Sequence, residues 1–114
     1  MRRLCLALLC MSATVGATEP ASHAAQDAVR QMLKDPESAR FRSVASTARV
    51  TPHGEKVYVC GEVNAKNAFG GYVGFRHFYA IVSSDGVVAD IEPPGVARDH
   101  PFFSVREIFC GEGP

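Results

Sequence analysis

Hydrophobic positions along this chain follow two periods in succession. From Ala21 to Lys34 they trace a helix face. Ala25, Ala28, Val29, Met32 and Leu33 fall at i, i+3, i+4, i+7 spacing, while Gln26, Asp27, Arg30, Gln31 and Lys34 lie off the stripe. Ser22 suits the N-cap, and Lys34 suits the negative end of the helix dipole. Asp35-Pro36 stops the helix, because proline pushes the preceding residue out of the α region. Beyond it the pattern turns to alternation. Phe41 to Val50 reads as a first strand, weakly patterned, and Pro52-His53-Gly54 as a turn. Lys56 to Asn64 is a clearer strand, with Val57, Val59, Gly61 and Val63 on one face and Tyr58, Cys60, Glu62 and Asn64 on the other. Gly61 within it signals a bulge or a close backbone approach. After a loop from Lys66 to Gly74, Phe75 to Ser84 forms a strand with apolar residues on both faces, as a central strand requires. Asp85-Gly86 is a hairpin signal, Val87 to Ile91 a fourth strand, and Pro93-Pro94-Gly95 its end.

The tail from Asp99 to Cys110 fits a short helix, with Asp99 as N-cap and Pro101 in the first turn. Phe102, Val105, Arg106 and Phe109 then share one side. A strand is the alternative. The order of periods predicts an α+β fold. An N-terminal helix packs on a three- to four-stranded antiparallel sheet, and the C-terminal segment is tied back by a disulfide across the other face.

The first residues change what composition means. Arg2 and Arg3 precede an apolar run from Leu4 to Met11, and small residues surround Ala17. This is the layout of a secretory signal peptide over residues 1–17. The run is well short of the roughly 20 apolar residues that span a bilayer, so the mature chain carries no transmembrane anchor. Leu9 before Cys10 fits a lipid-modifying signal poorly. Residues 18–114 then form one small domain, periplasmic or secreted. The full chain has a formal net charge of +0. Loss of the two arginines leaves the mature domain mildly acidic, without the basic excess that nucleic-acid binding needs.

Cys60 and Cys110 are the cysteines left after cleavage. In an oxidising compartment they are expected to pair. Closing a loop of roughly 50 residues restricts the unfolded chain by about 4 kcal/mol in the entropy account.

The stretch VCGEVNAKNAFGGYVGFRHF, Val59 to Phe78, concentrates glycine, asparagine and aromatic residues. Gly70-Gly71-Tyr72-Val73-Gly74 lacks the spacing of a phosphate loop, and a strand rather than a helix follows it. A shaped loop with positive φ angles is the reading it supports. Phe69, Tyr72, Phe75 and Phe78 recur every third residue, so on a strand they alternate faces. Phe75 and Phe78 are assigned to the core. Phe69 and Tyr72, beside Asn64, Lys66 and Asn67, form a candidate recognition surface for a protein or envelope component. The histidines His23, His53, His77 and His100 show no metal-ligand spacing, and no metal or cofactor is expected. Cys-Gly-Glu occurs at Cys60 and again at Cys110, so a disulfide would bring Glu62 towards Glu112. Such a pair, or Glu62 with His77, is the minimal set for a small hydrolase. An inhibitor or immunity protein for an envelope enzyme is another reading.

LKDPESARF, Leu33 to Phe41, together with the Val59–Phe78 stretch, resembles a family of small exported bacterial proteins with no established activity. The resemblance spans about half of the mature chain. It implies export and carries over no catalytic residue. Cys110 stands where a partner for Cys60 would be expected in it. The function expected is a non-enzymatic binding domain with residues 64–74 as its contact surface.

Overall fold

The computed structural model describes residues 18–111; the expected signal segment and Glu112 lie outside them. Helix α1 covers Thr18–Arg30, strands β1 to β4 cover Arg40–Thr51, Gly54–Asn64, Arg76–Ser83 and Gly86–Ile91, and helix α2 covers Pro101–Cys110. A single 3-10 turn at Pro36–Ser38 precedes β1. The strands form a four-stranded antiparallel meander in the order β1-β2-β3-β4. The α+β fold is as expected, and β3 is an interior strand.

The sheet is covered on both faces. Val57, Val59 and Val63 of β2 and Phe78 and Ala80 of β3 turn towards α1, which contributes Ala21, Ala25 and Val29. Phe78, Val29, Val59 and Val63 are its largest fully buried side chains. Each such residue contributes about 1.5–3 kcal/mol of burial free energy. Phe41 meets Phe78 edge to face at 5.6 Å. The opposite face carries Tyr58, Cys60 and Tyr79, and α2 closes over it. Phe109 lies 5.2 Å from Tyr58 and 5.7 Å from Tyr79, and Phe102 lies 5.4 Å from Tyr79. The Cys60–Cys110 disulfide, with Cα atoms 6.0 Å apart, fixes the end of α2 to the sheet.

Gly61 has both features its place in a strand suggested. The β1–β2 register shifts between Arg42 and Ala45, so Ser43 and Val44 oppose Gly61 alone, which is a β-bulge. A Cβ on Gly61 would lie 3.0 Å from the Phe78 ring and 3.0 Å from the Val44 methyl. Ser43, at φ 55°, is the non-glycine residue that absorbs the bulge's backbone turn.

Several local expectations are corrected. The helix is already formed at Thr18 and ends at Arg30 rather than Lys34. Met32 and Leu33 donate to carbonyls three residues back, Val29 and Arg30, so the chain tightens and leaves the helix before Pro36 acts. Ser22 is therefore inside the helix, where its hydroxyl accepts from Gln26. Met32 leaves the buried stripe and is 49% exposed. Phe75 is not core. It precedes β3 and is half-buried under the Arg42 guanidinium. The α2 N-cap is His100, whose Nδ1 accepts from Phe102 N–H at 3.1 Å, rather than Asp99.

Candidate functional site

The two hairpin turns, residues 52–53 and 84–85, lie at one end of the meander. The longer connections, residues 31–39, 65–75 and 92–100, therefore gather at the other end. Both sequence motifs lie there and touch one another.

The 65–75 connection is held by its own side chains. Asn64, at the end of β2, accepts the Gly74 N–H at 3.0 Å. Asn67 Oδ1 accepts from Phe69 N–H at 2.9 Å and Gly71 N–H at 3.1 Å, the local bonding that makes asparagine a turn residue. Backbone bonds from Asn67 to Gly71 and from Gly70 to Asn67 close the tip. Lys66 and Tyr72 pair as an isolated antiparallel bridge. Gly70 at φ 87° and Gly74 at φ 107° take the conformations that side-chain-bearing residues resist.

The DPESARF segment braces this loop from outside. Ser38 Oγ accepts the Lys66 N–H at 2.8 Å and donates to the Asp35 carbonyl at 2.8 Å. The Tyr72 hydroxyl donates to the Ser38 carbonyl at 3.0 Å. The Arg40 guanidinium sits 4.4 Å from the centre of the Tyr72 ring, and Lys66 Nζ lies 5.7 Å from it on a cation–π contact. Two residues further along β1, Arg42 stacks over Phe75 at 3.8 Å and ion-pairs with Glu62 at 2.6 Å.

The five candidate binding residues thus divide by what they touch. Asn64 and Asn67 turn their side-chain oxygens onto loop backbone. Tyr72 is clamped against Ser38 and Arg40, and Lys66 is tied through its backbone while its ammonium group forms no ion pair among the described residues. Phe69 touches little and is 96% exposed at the loop tip.

Sequence reading missed the groove beside this loop. It has a volume of about 560 Å³ and is built from all three connections. Met32, Leu33, Val73 and Pro93 supply apolar wall, and Lys34, Lys66 and Arg76 stand around it. Val73 is 56% exposed, so apolar surface here faces solvent. Glu92 is the carboxylate in the lining, and its Oε1 already accepts the His77 N–H at 3.0 Å. Arg76 donates to the Glu92 carbonyl at 2.9 Å. The cations on separate connections carried no signal of convergence in the sequence.

Around the disulfide lies a smaller recess of about 220 Å³, lined by Ser43, Glu62, His77 and Arg106 among others. Glu62 is the cross-strand partner of both Arg42 and His77. Its Oε1 is engaged by Arg42, and its Oε2 lies 3.8 Å from His77 Nδ1, beyond hydrogen-bond reach. Glu112, the other carboxylate considered for hydrolysis, lies outside the described residues. On the same face, Tyr79 stands opposite Asp90. Burial raises the Tyr79 pKa above the ordinary value of 10.0, and the Asp90 charge and hydrogen bond push it the same way.

Among the described residues, no group of three or more His, Cys, Asp and Glu side chains is placed to hold a metal ion. No helix among them is long and apolar enough to cross a membrane. Comparison with protein-family models, with curated proteins and with solved structures gives no match.

Proposed function

We propose that the protein is an exported interaction domain, periplasmic or secreted, that holds a protein or envelope component against the 64–74 loop. The observation that carries this reading is Phe69. A large aromatic ring stands almost wholly in solvent at the tip of a loop fixed by two asparagines, two positive-φ glycines and the Ser38 brace. Exposing such a ring disfavours the free protein in water, whereas a rigid aromatic anchor loses little entropy when it enters a partner's pocket. The loop is therefore built to present a side chain rather than to bury one. Inhibition of an envelope enzyme is the same geometry with an active site as the pocket.

The hydrolase reading is weaker on these contacts. Glu62 Oε1 is engaged by Arg42 at 2.6 Å, its Oε2 lies 3.8 Å from His77 Nδ1, and Glu112 lies outside the described residues. The secretory signal supports export, and the mildly acidic mature charge supports a partner other than nucleic acid.

The test is capture from envelope extract by the mature, oxidised protein and its Phe69→Ala variant. Phe69 makes no core contact, so the variant should unfold at the wild-type urea midpoint. Loss of a specific captured component in the variant supports the reading, and equal capture by both removes the loop from it.

A further inference from the structure

We infer that the groove between the 64–74 loop and the two neighbouring connections binds a small amphipathic carboxylate, an acyl chain with one anionic head. This site is separate from the Phe69 tip and stands whether or not the loop holds a partner. The first argument is shape. A volume of about 560 Å³ falls within the roughly 300–1,000 Å³ of small-ligand pockets.

The second argument is lining. Met32, 49% exposed, and Val73, 56% exposed, belong to connections far apart in sequence, yet both turn apolar surface into the same groove. Leu33 and Pro93 continue that wall. Exposed apolar side chains gathered in a groove and rimmed by charged residues are the arrangement of a ligand-binding groove.

Charge then selects the head group. Lys34 and Lys66 line the groove and form no ion pair among the described residues, and Arg76 is bonded to a neutral carbonyl rather than to a carboxylate. Glu92 is the single acid of the lining, and its Oε1 accepts the His77 backbone N–H. An anion therefore meets three cations against one carboxylate, while a cationic head meets net repulsion. Apolar wall and cationic rim together fit a chain with a carboxylate at one end and disfavour the same chain carrying an amine.

The experiment titrates the mature, disulfide-bonded protein with decanoate, decylamine and decanol below their aggregation thresholds. Residue-resolved amide shifts are followed by NMR. Saturable decanoate shifts should be confined to residues 31–39, 65–76 and 92–95, with decylamine binding weaker by about fivefold or more, the scale of one exposed ion pair. Val73→Asp, a substitution at an exposed position, should abolish the decanoate shifts, and Lys34→Glu should weaken binding by about fivefold. Equal affinity for decanoate and decylamine, shifts spread over the whole domain, or saturation unchanged in Val73→Asp would overturn the inference. Equal partner capture by the wild type and Phe69→Ala, with decanoate binding intact, would count against the interaction reading alone.

Discussion

Ser38→Ala is the perturbation that best probes how the loop is held. The hydroxyl makes two part-buried bonds, from Lys66 N–H at 2.8 Å and to the Asp35 carbonyl at 2.8 Å. A protein hydrogen bond contributes a net 0.5–1.5 kcal/mol, roughly, and partial water access at this site keeps each loss well below the full desolvation penalty. Two bonds lost together therefore remove about 1–2 kcal/mol. The Tyr72 bond to the Ser38 carbonyl survives, because its acceptor is backbone. The loop should stay attached but open more often at Lys66. Urea unfolding of the oxidised protein reads the global loss as a midpoint shift of about 1–2 M, for a slope near ~1 kcal/mol per molar. Amide exchange reads the local loss as faster exchange at Lys66 than at Val59 or Val63 in β2. A stability change under about 0.5 kcal/mol with unaltered Lys66 protection would refute the brace.

Gly61→Ala should cost about 1–3 kcal/mol, because the new Cβ meets a fully buried ring and a half-buried methyl at 3.0 Å; an unchanged urea midpoint would show that Phe78 and Val44 give way freely. The non-reduced mature protein should weigh less than its reduced form by the hydrogens of Cys60 and Cys110, and Cys110→Ser should lose about 4 kcal/mol of stability in denaturant; a free-thiol mass would defeat the pairing. Tyr79 gains and keeps its proton more readily in the folded state, so its contribution to stability is complete below the ordinary value of 10.0 and is lost as pH rises through the raised folded pKa. Ultraviolet difference titration of Tyr79→Phe against wild type should place that ionisation above the ordinary value, and Asp90→Asn should bring it down; a Tyr79 step at or below the ordinary value would contradict the burial argument.

The sheet was legible because its cues are local. The Val57, Val59, Gly61, Val63 alternation reports a strand with one buried face, and Asp85-Gly86 reports a hairpin without reference to the rest of the chain. The disulfide was legible because the expected loss of Cys5 and Cys10 with the signal segment leaves Cys60 and Cys110 as one pairing. The end of α1 was not legible. Met32 and Leu33 keep the helical spacing in sequence, yet the backbone shifts to tighter turns from Met32 on and frees that side chain for the groove. Phe75 was misassigned because its strand begins one residue later, at Arg76, which leaves the ring at the end of the loop under the Arg42 guanidinium. Least legible was Ser38. Its bond to Lys66 joins positions 28 residues apart, and nothing in either segment alone announces it. The groove shares that origin, since its cations and apolar residues come from three connections that meet only in the folded chain.

The central claim is that the Phe69 end of the sheet faces a partner. A photo-crosslinking residue placed at position 69 in the producing cell tests it most directly, with position 108 as control. Ile108 is 68% exposed but lies on α2, against the sheet face opposite α1. The account predicts a discrete, higher-mass adduct from position 69 and none from position 108. Adducts from 108 without any from 69, or the same diffuse labelling from both, would contradict it.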